Sequence, residues 1–409
     1  MEVREASAAY AGLAVASADD VPAGFKRTEV GLIPEDWDVS TVGAEFTIQL
    51  GKMLDNEKNV GVLRPFLGNR SVQWARIVLD DLGEIKLSRS DLQRYRLRDG
   101  DLLVCEGGEV GRAAIWSQPI DECYYQKALH RLRPSRGYNT RLMLNQLQRL
   151  AFDGGLQNYV TQTSIAHLPK DKFESVPIPL PPSNAEQEAI AEALSDADAL
   201  IESLEQLLAK KRQIKQGTMQ QLLTGKKRLP GFNDKLELTS LGSLLTIRHG
   251  KSQREVEAFD GEYPVLATGG EIGRSTAFLW AKPSVLIGRK GTIDRPYYMD
   301  TPFWSVDTLF YSDVHTPNNA KFLFYRFCLI DWKQYNEASG VPSLNARTIE
   351  QIEIETPRHA EQIAIAATLS DMDSEIAALD GRLAKARQLK QGMMQVLLTG
   401  AIRLPLDTA

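Results

Sequence analysis

Apolar residues recur at alternating spacings of four and three in two parts of the chain. The first set is Ile190, Leu194, Ala197, Ile201, Leu204 and Leu208; the second is Ile365, Leu369, Met372, Ile376, Leu379 and Leu383. That spacing keeps one stripe of a helix turned toward a partner and predicts two coiled-coil seams. Each seam sits in a helical pattern of about 40 residues, roughly 60 Å at 1.5 Å per residue, too long to hide inside one small domain. The ends carry signals of their own. Ser183 followed by Glu186 is a capping box, and Pro357 after Thr356 fits the first turn of the second helix. Glu186, Glu188, Glu192 and Asp196 crowd the start of the first helix and Lys210, Lys211, Arg212 and Lys215 its end, which complements the macrodipole. Gly225 and Gly400 are placed to close the two helices in the left-handed conformation. Elsewhere, short apolar runs broken by Gly and Asp predict strands at 77–79, 102–104, 285–287 and 308–310, and helical patterns cover 141–152 and 321–332.

The helical segments are copies of one another. Residues 185–230 and 360–405 align without a gap at roughly 29 identities in about 46 positions, far beyond what shared helix composition produces. A weaker echo precedes each copy: 42–52 matches 241–251, Pro65-Phe66-Leu67 falls on Pro264-Val265-Leu266 at the same offset, Gly108 to Arg112 resembles Gly291 to Arg295, and Thr163-Ser164-Ile165 resembles Pro342-Ser343-Leu344. The chain therefore reads as a tandem duplication with an α+β fold: two mixed α/β domains, separated and followed by long helices packing as an antiparallel coiled coil. The expected boundaries are an extension at 1–24, read as flexible, domains at 25–182 and 230–356, and helical segments at 183–229 and 357–409. Near-equal helices imply one shared structural task, and divergent domains imply two different recognition tasks.

Composition narrows the classes. With 409 residues, 43% hydrophobic and 25% charged, the chain is neither mostly disordered nor a disulfide scaffold. No run of about 18 apolar residues occurs, so no membrane span is expected. The Ala-rich run at 8–18 is flanked by acids, the opposite of an export signal. Cys105, Cys123 and Cys328 form no C-x-x-C pair and the five histidines are scattered, so no metal site is expected, and free thiols suit a cytoplasmic location. The net charge is −5, so any nucleic-acid surface has to be local. From Arg64 to Arg149 there are roughly fifteen basic residues against about ten acidic ones, with Arg89, Arg94, Arg96 and Arg98 around Tyr95 and Arg131, Arg133 and Arg136 following. A solvated basic face explains such a run equally well. Gly250-Lys251-Ser252 resembles the end of a phosphate-binding loop, but Leu245 stands where that loop needs a glycine, and Gly51-Lys52-Met53 also lacks the glycine lead. No nucleophile elbow, zinc-protease or dinucleotide motif is present.

On these residues the chain resembles the specificity (S) subunit of Type I restriction-modification enzymes. The segment T-E-V-G-L-I-P-E-D-W at 28–37, the two versions of L-K-Q-G-M-M-Q-V-L-L-T-G at 389–400 and 214–225, and the alternation of domain and helix carry the resemblance, which extends from about Gly24 to Pro405. The second half has no equivalent of I-P-E-D-W. The resemblance implies a non-catalytic, DNA-binding subunit of a phage-defence DNA adenine methyltransferase and endonuclease complex. Each divergent domain would be a target recognition domain reading one half of a bipartite double-stranded DNA site. The helices would act as a spacer and dock two methylation subunits, with restriction/translocase subunits completing the nuclease. S-adenosylmethionine, ATP and Mg belong to those partners, and no cofactor to this chain. The competing readings are a coiled-coil scaffold or oligomerisation protein and a self-contained methyltransferase or nuclease.

Base readers are expected in the loops after the paired strands: Asn69, Arg70 and Gln73 in the first domain, and Thr268 and Arg274 in the second. Lys52 and Lys251 suit phosphate contacts. Arg112, Arg289, Lys290 and Arg295, beside glycine turns, suit either task.

Overall fold

The computed structural model describes residues 21–405 apart from 56, 81 and 163–165. The run at 8–18 and the Thr163-Ser164-Ile165 echo lie outside the described residues. The chain divides into two compact units, one made of Met1–Ser203 with Leu383–Ala409 and the other of Leu204–Arg382.

The first unit carries a four-stranded antiparallel sheet in the order Ala113–Ile115, Leu102–Cys105, Leu129–Pro134, Phe46–Leu50. A second sheet sets Val62–Leu67 between parallel Tyr124–Tyr125 and antiparallel Gly83–Leu87. The ribbon of Asp38–Thr41 with Pro177–Leu180 brings the two ends of the domain together. The second unit repeats this arrangement. Its larger sheet runs Leu245–His249, Leu309–Val314, Ser284–Gly288, Tyr297–Met299, its smaller one Gly270–Ser275, Tyr263–Ala267, Trp304–Ser305, and its closing ribbon pairs Glu237–Ser240 with Glu353–Thr356.

The expected strands at 102–104 and 285–287 lie inside observed ones, and 308–310 becomes Leu309–Val314. The one at 77–79 shrinks to Arg76–Ile77, where it pairs with Val72–Gln73, and the Val78 amide adds one more bond to the Ser71 carbonyl. The helix expected at 141–152 is Thr140–Phe152, its N-terminus capped by the Asn139 side chain. The one expected at 321–332 stops at Phe327. There the Trp332 indole donates to the Phe327 carbonyl (2.9 Å), and Asp331 caps a separate 3-10 turn, Trp332–Tyr335.

The long helices span Asn184–Leu223 and His359–Leu397. Ser183 Oγ accepts from the Glu186 amide (3.2 Å), but the Glu186 carboxylate goes to Arg403, so only half of the capping box forms. Pro357 is not in the first turn. It precedes Arg358, whose carbonyl accepts the first helical amides, from Glu361 and Gln362, and its own carbonyl takes the Gln362 side chain. Gly225 and Gly400 are both left-handed, at φ +69°. Both are also hemmed in: an added Cβ would lie 2.2 Å from Leu236 at Gly225 and 2.6 Å from Pro34 at Gly400. Leu236 thus sits in its unit where Trp37 sits in the other, immediately before the closing ribbon. The missing I-P-E-D-W has a positional equivalent without its residues.

Every seam position is buried or half-buried. Each unit combines the first half of one long helix with the second half of the other. Ile190, Ala191 and Leu194 share a core with Val396, Leu397, Trp37 and Leu142; Ile365, Ala366 and Leu369 share one with Met219, Leu222, Leu241 and Phe322. The polar clamps repeat as well. Arg403 binds Glu186 in one unit, and Arg228 binds Glu361 in the other. Lys390 pairs with Asp198 (2.7 Å), and Lys215 with Asp373. In the second unit Lys211 meets Glu375 while Lys215 meets Asp373, the opposed running of antiparallel helices.

Candidate nucleic-acid interface

In each domain, the loops that leave three strands meet along one rim. The chain leaving Phe46–Leu50 passes so close to the segment after Tyr124–Tyr125 that a Cβ on Gly51 would stand 2.3 Å from the Gln126 carbonyl. The Lys52 amide then donates to the Tyr125 carbonyl (2.9 Å), and the Gln126 amide to that of Leu67 (3.1 Å). The second domain repeats each contact: Gly250 against the Val306 carbonyl at 1.9 Å, the Lys251 amide to Ser305 (2.7 Å), the Val306 amide to Leu266 (3.0 Å). The Gly-Lys pairs are therefore strand-crossing points, which accounts for a glycine there without a bound phosphate.

The central strand of each larger sheet ends in a glycine loop, with Gly108 at φ +73° and Gly291 at φ +88°. The Leu168 amide donates to Glu106 (2.7 Å) and, equivalently, the Leu344 amide to Arg289 (2.9 Å). This pattern sets His167-Leu168 against Ser343-Leu344.

Several expected readers are consumed in holding this rim. Asn69 Nδ2 donates to the Gly107 carbonyl (2.8 Å), and an Arg112 Nη donates to the Asn69 carbonyl (2.9 Å). Thr268, buried at 8% exposure, donates its hydroxyl to the Thr308 carbonyl (2.7 Å). Arg274 donates to the Gly261 and Glu262 carbonyls and pairs with Glu271. Gln73 donates to the Arg70 carbonyl, and Lys52 pairs with Asp91 (3.0 Å). These side chains position loops. Arg70 is exposed, and Arg289 is half-buried with an Nη on the Asp307 carbonyl (3.2 Å). Lys251, Lys290 and Arg295 are exposed and have no side-chain partner among the described residues. Lys127, exposed on the first rim, has none either and went unnoticed, since a lone lysine after two tyrosines carries no pattern.

Most of the basic run between Arg64 and Arg149 is exposed, Arg89, Arg94, Arg96 and Arg98 included, but two of its arginines are internal. Arg131, 4% exposed, donates to Gln49 Oε1 (2.7 Å) and lies over the Tyr125 ring; Arg133 grips the buried Asp101. The solvated-face reading suits Arg89, Arg94, Arg96, Arg98 and Arg136, which are exposed, and fails for Arg131 and Arg133, whose strand Leu129–Pro134 is mostly buried. Beside them, His130 Nε2 donates to the Leu168 carbonyl (2.9 Å) and the ring packs on Phe173, which leaves Nδ1 buried without a partner. Burial lowers its pKa from 6.5 to about 4, keeping the ring neutral. Burial likewise raises the thiols of Cys105 and Cys123, to about 11 and 12, leaving them inert.

Among the described residues, no group of three or more His, Cys, Asp and Glu side chains is placed to hold a metal ion, and no helix is long and apolar enough to cross a membrane.

Comparison with known proteins agrees with this layout. Residues 34–215 and 233–388 each match the Type I restriction modification DNA specificity domain. A protein named as the type I restriction enzyme MjaX specificity subunit, from Methanocaldococcus jannaschii, is 24% identical, the alignment covering 93% of this chain and 97% of the relative. The MjaVIII specificity subunit of the same organism is 23% identical over 93% and 96%. Among solved structures, the Type I restriction-modification S subunit from M. genitalium superposes with a TM-score of 0.63 at 15% identity, covering 88% of this chain and 96% of that one. A chain from a study of complex assembly and conformational transition in a type I restriction-modification system gives 0.55 at 16% identity, over 90% and 99%.

Proposed function

The chain belongs to the Type I restriction-modification DNA specificity family, with two tandem copies of its domain, and from that premise we propose that each domain reads one half of a bipartite double-stranded DNA target. The observation that carries the proposal is a shared framework with different rims. The Gly-Lys crossing and glycine loop recur contact for contact, while the exposed cations differ: Arg70 and Lys127 on one rim, Lys251, Lys290 and Arg295 on the other. Exposed cations of this kind hold phosphates and fix register, and the loops between them meet base edges. Arg289 contributes to the second rim.

The long helices serve as spacer and docking surface. Leu200, Leu207 and Ile214, seven residues apart, remain exposed on the first helix, on the flank of its buried seam, and such a stripe suits a further helix from a partner. Two methylation subunits would bind there, bringing S-adenosylmethionine and the adenine chemistry, and restriction/translocase subunits would bring ATP and Mg. This chain is non-catalytic by itself, and the complex is cytoplasmic. The test is methyl transfer from labelled donor to unmethylated genomic DNA by this chain, its methylation subunit and the two together. Transfer should require both, and incorporation by this chain alone would overturn the assignment.

A further inference from the structure

The loop between Asn336 and Ser343 stands directly beside the free cations of the second rim. Its base is fixed at several points. Asn336 Oδ1 accepts from the Ala338 and Ser343 amides (3.1 and 2.9 Å), the Glu337 amide donates to the Ser343 carbonyl (3.1 Å), and Thr348 donates its hydroxyl to the Glu337 carboxylate (2.6 Å). On the other side, the Gly291 amide donates to the Pro342 carbonyl (2.9 Å), and Ser343 bridges to Lys290. The loop is therefore a stiff projection from the glycine loop that bears Lys290 and Arg295. Its tip, Ser339-Gly340-Val341, carries an apolar side chain that is 67% exposed. Two concavities flank it, one lined by His249, Lys290 and Ser343, the other by Arg295, Lys333 and Pro342.

An exposed valine on a clamped loop, between cations without partners, contributes nothing visible to the fold. A phosphate backbone seated on Lys290, Arg295 and Lys251 would bring a groove edge to that tip. The apolar group available in the major groove is the C5-methyl of thymine. We propose that Val341 reads a thymine methyl in the half-site of the second domain. The proposal rests on the functional reading above and names the residue type and the base feature within it.

The test uses the assembled complex with its methylation subunit and its mapped target. Thymines in the second half-site are replaced one at a time by uracil, which lacks only the C5-methyl, and binding is measured for the native protein and for Val341→Ser. Because the side chain is exposed, this substitution leaves the fold intact. One uracil position should weaken native binding about fourfold, the value of one buried methyl. Val341→Ser should weaken binding to the thymine target by a similar factor and be indifferent to uracil at that position only. Equal binding by the two proteins, or a loss that is the same on thymine and uracil DNA at every position, overturns the proposal while leaving the functional reading standing. A native complex that does not distinguish its target from unrelated DNA overturns both.

Discussion

Gly250 has no room for a side chain: a Cβ there would stand 1.9 Å from the Val306 carbonyl, an atom fixed by the strand beneath it. Gly250→Ala must displace backbone rather than a side chain, so the second domain should lose about 2–3 kcal/mol, at the upper end for overpacking. Urea unfolding of the full chain measures it, and an unchanged midpoint for that domain would contradict the crossing described. His130 makes a second residue-scale prediction. Its folded pKa of about 4 lies below the unfolded value of 6.5, so the unfolded chain takes up a proton first as pH falls. The first domain should be fully stable above about pH 6.5 and lose stability progressively between 6.5 and 4, by about 3 kcal/mol if this ring acts alone. His130→Gln should flatten that stretch of the Tm against pH curve, and a variant with the native slope would remove His130 as its cause. Local pattern alone distinguished neither residue. Gly250 resembled part of a phosphate loop, and His130 was one of five scattered histidines, although the strand Leu129–Pro134 that carries it is mostly buried.

At the scale of elements, what was legible in sequence was what depends on neighbours along the chain. The seams follow from spacing and the left-handed glycines from their place after the last apolar turn, and the two loop offsets aligned Leu67 with Leu266 and Gly108 with Gly291 because the duplication preserved them. What sequence did not disclose depends on partners far away in the chain. Glu186 was expected to reach back to Ser183, but Arg403, more than two hundred positions on, takes the carboxylate. Helix 321–332 was expected to continue, but the Trp332 indole closes it at Phe327. The clamp between Arg228 and Glu361 tests the helix packing in the second unit. Glu361 is 2% exposed, so Arg228→Met strands a buried carboxylate and should cost about 3 kcal/mol. Adding Glu361→Gln should recover at least half of that in urea unfolding. If the double variant is as unstable as the single one, the pairing is not what the arginine contributes.

At the scale of the molecule, the duplication gives two frameworks with the same crossings and different exposed side chains, and the central claim is that each determines half of one DNA target. Gly400 packs on Pro34 and Trp37, so an exchange of the first domain should retain those residues and replace only positions 38–182 with the matching segment of a relative. Methylated adenines are then mapped in cells that express the exchanged chain with its methylation subunit. One half-site should change to that of the relative, while the other half-site is kept. A map in which both half-sites change, or in which neither does although the complex assembles and methylates, would contradict the account.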